Sequence, residues 1–210
     1  MHDFFNESIL QITEDAFLLT GFALPEIAMI WQDIQTVISQ APLSSMQTQG
    51  GLYMSVQTTS CGELGWVSDR KGYRYSPINP LTRQKWPIMP ESLRQLAQSA
   101  GSKAGFADFQ PDSCLINQYN IGAKMGLHQD KDERDFSQPI VSVSLGLPAT
   151  FQFGGAKRSD KTAKVQVHHG DVVVWGGTSR LYFHGVSPIK PGNHTLLGMR
   201  RINLTFRKAG

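Results

Sequence analysis

Between residues 24 and 40, Ile27, Ile30, Trp31, Ile34 and Ile38 recur at steps of three and four. That period predicts an amphipathic helix, with Pro25 in its first turn. A second helix is predicted over 90–100, opened by Pro90 and Glu91 and ended near Gly101. The stretch 46–89 is rich in Gly, Pro, Tyr, Ser and Thr, so short strands and loops are expected there, not a packed core. From Asp112 onward the pattern changes. Runs at 113–119, 139–147, 149–153, 164–168, 171–175 and 200–207 are short and rich in β-branched or aromatic residues. Gly154-Gly155, His169-Gly170-Asp171 and Gly176-Gly177 punctuate them as turns. A helical N-terminal layer followed by many short strands predicts a mainly β fold, a sandwich or barrel with helices packed outside it.

Composition adds bounds. The chain has 210 residues, 40% apolar and 18% charged, which suits one domain with a sizeable core. Two cysteines, Cys61 and Cys114, are too few for a disulfide framework and fit a reducing compartment. No run of 18 apolar residues is present, so no membrane span is expected. The first residues carry Asp3 and Glu7 and lack a basic segment before an apolar run. A cytoplasmic location is therefore expected.

His128-Gln129-Asp130 places two ligand types on one side of an extended segment, and His184 could add a third. Two histidines and a carboxylate on one face suit the facial triad of non-haem Fe(II) oxygenases. The dyad alone is weak: six histidines and 17 acids give about half of one such pattern by chance. The chain holds a second, His169-Gly170-Asp171, which reads better as a turn before the apolar strand Val172–Trp175. His168 and His169 are then turn residues, and His2 and His194 surface histidines.

In Arg201–Arg207 the alternation puts Arg201, Asn203, Thr205 and Arg207 on one face and Ile202, Leu204 and Phe206 on the other. Two inward arginines are costly unless each is paired with an anion. Positions six apart on a strand lie roughly 20 Å apart. Two arginines reaching toward each other leave a gap on the order of 6 Å, which suits a short dicarboxylate gripped at both ends. Asn117 and Tyr119 share a face of another strand and can donate hydrogen bonds. Ser142, Ser144 and Gly146 leave room on a third.

These features together resemble the AlkB family of Fe(II)- and 2-oxoglutarate-dependent dioxygenases, close to its bacterial DNA-repair member. The resemblance rests on Asn117 to Tyr119, His128 to Asp130, Ser142 to Pro148, Phe151 to Gly155, Gly170 to Gly177, His184 and the Arg201-x-Asn203-x-Thr205-x-Arg207 strand. It reaches back to Gly50-Gly51 and to Cys61–Trp66. It implies a double-stranded β-helix, or jelly roll, in one catalytic domain. An N-terminal extension (1–45) and a nucleotide-recognition lid (46–90) would precede the core (91–210). It further implies that His128, Asp130 and His184 bind Fe(II), and that Asn117, Tyr119, Arg201, Asn203 and Arg207 bind 2-oxoglutarate. Trp66 and Tyr73 would belong to the lid, Asp132 and Glu133 would line the base pocket, and Arg158 would approach the substrate backbone. Two positions depart from the family pattern: Leu52 stands where an aromatic follows the Gly-Gly pair, and Thr58 where the lid has Met.

The implied reaction uses O2 and 2-oxoglutarate to hydroxylate the methyl group of a base such as 1-methyladenine or 3-methylcytosine. Formaldehyde, succinate and CO2 are released. The implied partner is alkylated single- or double-stranded DNA, with RNA as a further candidate, and the protein is expected to act as a monomer. Read without the resemblance, 131–135 also fits an ordinary solvated charged loop. A dioxygenase acting on a protein or small molecule, or a non-catalytic nucleic-acid-binding jelly roll, remain alternatives. The net charge of +3 conceals a segregation that bears on this choice. Residues 66–86 hold five basic groups against one acid, interleaved with Trp66, Tyr73, Tyr75 and Trp86. Such interleaving suits single-stranded nucleic acid.

Overall fold

The computed structural model describes residues 8–210; the reading of His2 as a surface histidine lies outside them. Two strands, β1 (Ile9–Thr13) and β2 (Ala16–Leu19), lead through a 3-10 turn at Leu24–Glu26 into α1 (Ile27–Gln40). There follow β3 (Ser44–Gln47), β4 (Tyr53–Gly62), β5 (Gly65–Asp69), β6 (Gly72–Ser76) and α2 (Glu91–Lys103). The C-terminal half contributes β7 (Ser113–Asn120), β8 (Met125–His128), β9 (Ile140–Gly146), β10 (Ala149–Phe153), β11 (Ala163–Val167), β12 (Val172–Trp175), β13 (His184–Val186) and β14 (Arg200–Arg207).

All pairings are antiparallel. An eight-stranded sheet runs β1-β2-β12-β9-β14-β7-β4-β3, a four-stranded sheet β11-β10-β13-β8, and β5-β6 stand apart as a hairpin. The expected jelly-roll layering is present. Period-2 alternation sorts each central strand into two faces. Ile202, Leu204 and Phe206 join Val141 and Val143 in an apolar layer under both helices, with Ile30, Ile34, Leu93 and Leu96. On the opposite side, Trp175 of the large sheet meets Phe151 and Phe153 of the small one. The space left between the sheets holds the polar face of β14.

Both predicted helices form. The second runs past Gly101 to Lys103. Gly101 does not end it, because its place is set by packing: a Cβ there would lie 3.2 Å from Phe109 Cβ. Two expectations need correction. The N-terminal layer is not only helical, since β1 and β2 extend the large sheet through β2–β12 pairing. The signal is short and interrupted by a turn at Asp15, whose φ is +56°. Nor is 46–89 free of packed core. β4 pairs with β7 over six residues and buries Val56, Thr59, Ser60 and Cys61. Its hydroxyls disguise it as polar. Thr59 is satisfied internally, donating to the Ala41 carbonyl at 2.7 Å.

Candidate active site

Antiparallel pairing of β13 with β8 sets His184 directly opposite His128, and the chain leaving β8 brings Asp130 alongside. One ligand atom from each of the three lies within 4.8 Å of the others. Each imidazole donates its Nδ1 proton to a backbone carbonyl, His128 to Gly126 at 2.9 Å and His184 to Tyr182 at 3.0 Å. That tautomer leaves both Nε2 lone pairs facing Asp130, each 3.7 Å from a carboxylate oxygen. Two imidazoles and one carboxylate, each oriented from behind, fit an Fe(II) ion with open positions for other ligands. Burial beside Trp175, Phe151 and Phe153, with His128 close by, pushes His184 down to about 4. It is therefore neutral and able to ligate near pH 7. Burial works against the Asp130 charge, but Arg207 and the two imidazoles hold its carboxyl well below the usual carboxylate range.

The second dyad is structural. The buried Asp171 carboxylate accepts from Gly21 N at 2.8 Å and His168 N at 2.7 Å, closing the turn where Gly170 has φ +89°. The His169 ring lies tilted against His194, 4.3 Å between centroids, and its Nδ1 accepts from Gly146 N, so it serves as a brace.

Arg201, Asn203 and Arg207 all face the cavity between the sheets, with Asn117 and Tyr119 on neighbouring β7. The two arginines are not equivalent, which corrects the expectation of a symmetric grip. Arg207 already has internal anions: its Nη2 and Nε lie 2.7 and 3.0 Å from Asp130 Oδ2, and Nε is 3.3 Å from Glu133. Its burial opposes the charge, yet Asp130 raises its pKa further. Arg201 has no carboxylate partner among the described residues. It donates to Ser144 Oγ at 3.0 Å and lies over the Tyr119 ring, while its Nε and Nη1 have no hydrogen-bond partner. Burial lowers its pKa. Arg207 keeps one buried unpartnered atom, Nη1.

The cavity has a volume of about 510 Å³. Trp66, Tyr73, Asp132 and Arg158 also line it. Trp66 and Tyr73 are stacked, 5.5 Å between centroids and 13° between planes, and Trp66 Nε1 donates to Asp132 Oδ2 at 2.9 Å. Arg158 sits over Phe183, 5.0 Å from its centroid. Thr58, at one of the departing positions, also lines the cavity, whereas Leu52 and Tyr53 are 75% and 70% exposed.

Glu133 does not line the base pocket, contrary to what the resemblance implied. It is buried behind the wall. It accepts from the Tyr75 hydroxyl at 2.7 Å and pairs with Arg180 at 3.2 Å and Arg207 at 3.3 Å. A buried carboxylate between two guanidinium groups is held as an ion-pair node, which its position beside Asp132 in sequence does not reveal. Arg180 itself carried no sequence signal. Its side chain donates to the Asp130 carbonyl and to the Gln138 carbonyl, both at 2.9 Å.

A jelly roll enclosing a His-Asp-His cluster and an arginine with no carboxylate partner among the described residues defines a non-haem Fe(II) oxygenase that takes an anionic cosubstrate. The match to the 2OG-Fe(II) oxygenase superfamily spans residues 15–207, and the chain belongs to that family; it is an Fe(II)/2-oxoglutarate-dependent dioxygenase. It is 56% identical over 195 residues to the alpha-ketoglutarate-dependent dioxygenase AlkB of Escherichia coli, covering 93% of this chain and 90% of that one. It is 33% identical over 129 residues to the mouse nucleic acid dioxygenase ALKBH1, covering 61% of this chain and 33% of that one. The solved structure of OsALKBH1 superposes with a TM-score of 0.82 at 30% identity, covering 96% of this chain and all of that one.

Proposed function

We propose that the chain is an oxidative demethylase of N-alkylated bases, of the 1-methyladenine and 3-methylcytosine type, in single- or double-stranded DNA and also in RNA. One observation carries this reading: a Trp66–Tyr73 stack and the Asp132 carboxylate stand over the same cavity as His128, Asp130 and His184. An aromatic platform and an anion beside an oxidising centre suit a flat cationic base, which must leave the stack to reach it. The likeness to a protein named a nucleic acid dioxygenase supports it.

Bound Fe(II) and 2-oxoglutarate supply the O2-dependent oxidation that hydroxylates the N-methyl carbon, yielding succinate and CO2, after which the base releases formaldehyde. The residues of this chain supply position and charge. Arg201, with Tyr119 and Ser144 beside it, would hold a carboxylate of the cosubstrate. Asn117 and Asn203 hold the flank, and Arg207 aligns Asp130 and offers Nη1. Trp66 and His128 sandwich the base, Asp132 favours the cationic form, and Arg158 meets a phosphate. The same reading takes the protein as a monomer, which the lining of the cavity by residues of one chain supports. The free thiols Cys61 and Cys114 suit the cytoplasm.

Incubation with Fe(II), 2-oxoglutarate and a 3-methylcytosine oligonucleotide releases formaldehyde and restores cytosine, read by mass spectrometry. Succinate formation without any nucleic-acid dependence would instead place the substrate among proteins or small molecules. No succinate with any substrate would leave a binding module.

A further inference from the structure

Trp66 and Tyr75 are direct cross-strand partners of the β5–β6 hairpin, so their side chains leave the same face. Both end on the loop that follows the metal ligand Asp130. Trp66 donates to Asp132 and Tyr75 to Glu133, at 2.9 and 2.7 Å. Glu133 continues the path inward to Arg207, whose guanidinium grips Asp130, and to Arg180, whose Nη1 holds the Asp130 backbone carbonyl. The Arg180 Nε bond to Gln138 fixes the far end of the same loop. Two cations and two carboxylates thus make a buried, charge-balanced node. The hairpin is anchored separately by apolar packing: Trp86 lies on Gly65, where a Cβ would come 2.5 Å from its Nε1, and Val67 packs with Ala41.

We propose that Tyr75, Glu133 and Arg180 are positioning residues that couple the β5–β6 hairpin to the metal ligand Asp130. Filling the metal site then firms the hairpin that grips the substrate, and a docked hairpin tightens metal binding. The two effects are equal by linkage. A network of this kind transmits position because each member is over-determined by buried partners. The inference rests on the reading of the cavity as the metal and substrate site.

Hydrogen–deuterium exchange of residues 65–76 in the full chain tests it without turnover, under anaerobic conditions with Mn(II) and 2-oxoglutarate added or withheld. In the wild type the additions slow hairpin exchange by about five-fold or more. Tyr75→Phe keeps the ring and the apolar anchor but removes the donor. It loses that slowing, while Mn(II) still binds with one-to-one stoichiometry and weaker affinity. Equal slowing in Tyr75→Phe, or none in a wild type carrying stoichiometric Mn(II), overturns the coupling. Where Tyr75→Phe fails to fold, Arg180→Lys replaces it in the same comparison. Failure of the wild type to bind Mn(II) at all overturns the metal-site reading as well, and the titration separates the two failures.

Discussion

At the residue scale the two inward arginines make opposite predictions. Arg201 is buried with no carboxylate partner among the described residues, so the ligand-free fold carries an uncompensated desolvation cost. Arg201→Met removes that cost. We expect it to stabilise the ligand-free protein by about 1–3 kcal/mol in urea unfolding while abolishing 2-oxoglutarate binding. Arg207 neutralises Asp130 and Glu133 at once. Arg207→Met strands the buried Asp130 carboxylate, leaves Glu133 to Arg180 and Tyr75, and is expected to destabilise by about 3–5 kcal/mol. A shared sign for the two substitutions would contradict this division. The alternation of β14 made the shared face legible in the sequence, because period 2 is fixed by the strand itself. The difference between the arginines was not legible. It depends on which loop carboxylates the tertiary fold delivers, and Glu133 reaches Arg207 from 74 positions away.

At the element scale the same contrast holds. The strands from β7 to β14 that carry β-branched runs and glycine turns were legible with boundaries within a residue or two, as with β9 and β12. β1 and β2 were not, since each is short and finds its partner only in the large sheet. β8 and β13 were missed as strands although both end on metal ligands. Their sequences, Met-Gly-Leu-His and His-Gly-Val, are too brief to show a period. The turn joining β11 to β12 offers a test of element against site. Asp171 caps two backbone N–H groups and is not part of the His128–Asp130–His184 cluster. Asp171→Ala is expected to lower stability by about 2–4 kcal/mol and leave Mn(II) stoichiometry at one. Asp130→Ala is expected to abolish Mn(II) binding. Loss of metal in Asp171→Ala would return the second His-x-Asp pair to the list of ligands.

At the scale of the molecule, the site is held between two sheets that would otherwise close on an apolar core. The metal-free fold therefore bears the burial of His184, and its stability depends on pH in a definite sense. The folded His184 titrates at about 4 against 6.5 for a free imidazole, because burial and the neighbouring His128 disfavour its cation. As pH falls through 6.5 the unfolded chain takes the proton first, so stability declines from there down to about 4. Asp130, whose carboxyl is held low, adds its own loss at still lower pH. The melting temperature of the metal-free protein is thus expected to drop between pH 7 and pH 4.5, and His184→Gln to flatten that drop. Metal steepens it. Mn(II) at a hundred times its dissociation constant adds about 2.7 kcal/mol near pH 7. Protons compete for His184 only as pH nears its folded value of about 4, so the increment shrinks there. Differential scanning calorimetry with and without Mn(II) across that range reads both slopes. A metal increment that stays level down to pH 4 would exclude ligation by His184, whereas one that falls with acid and vanishes in His184→Gln ties the buried imidazole to the metal site.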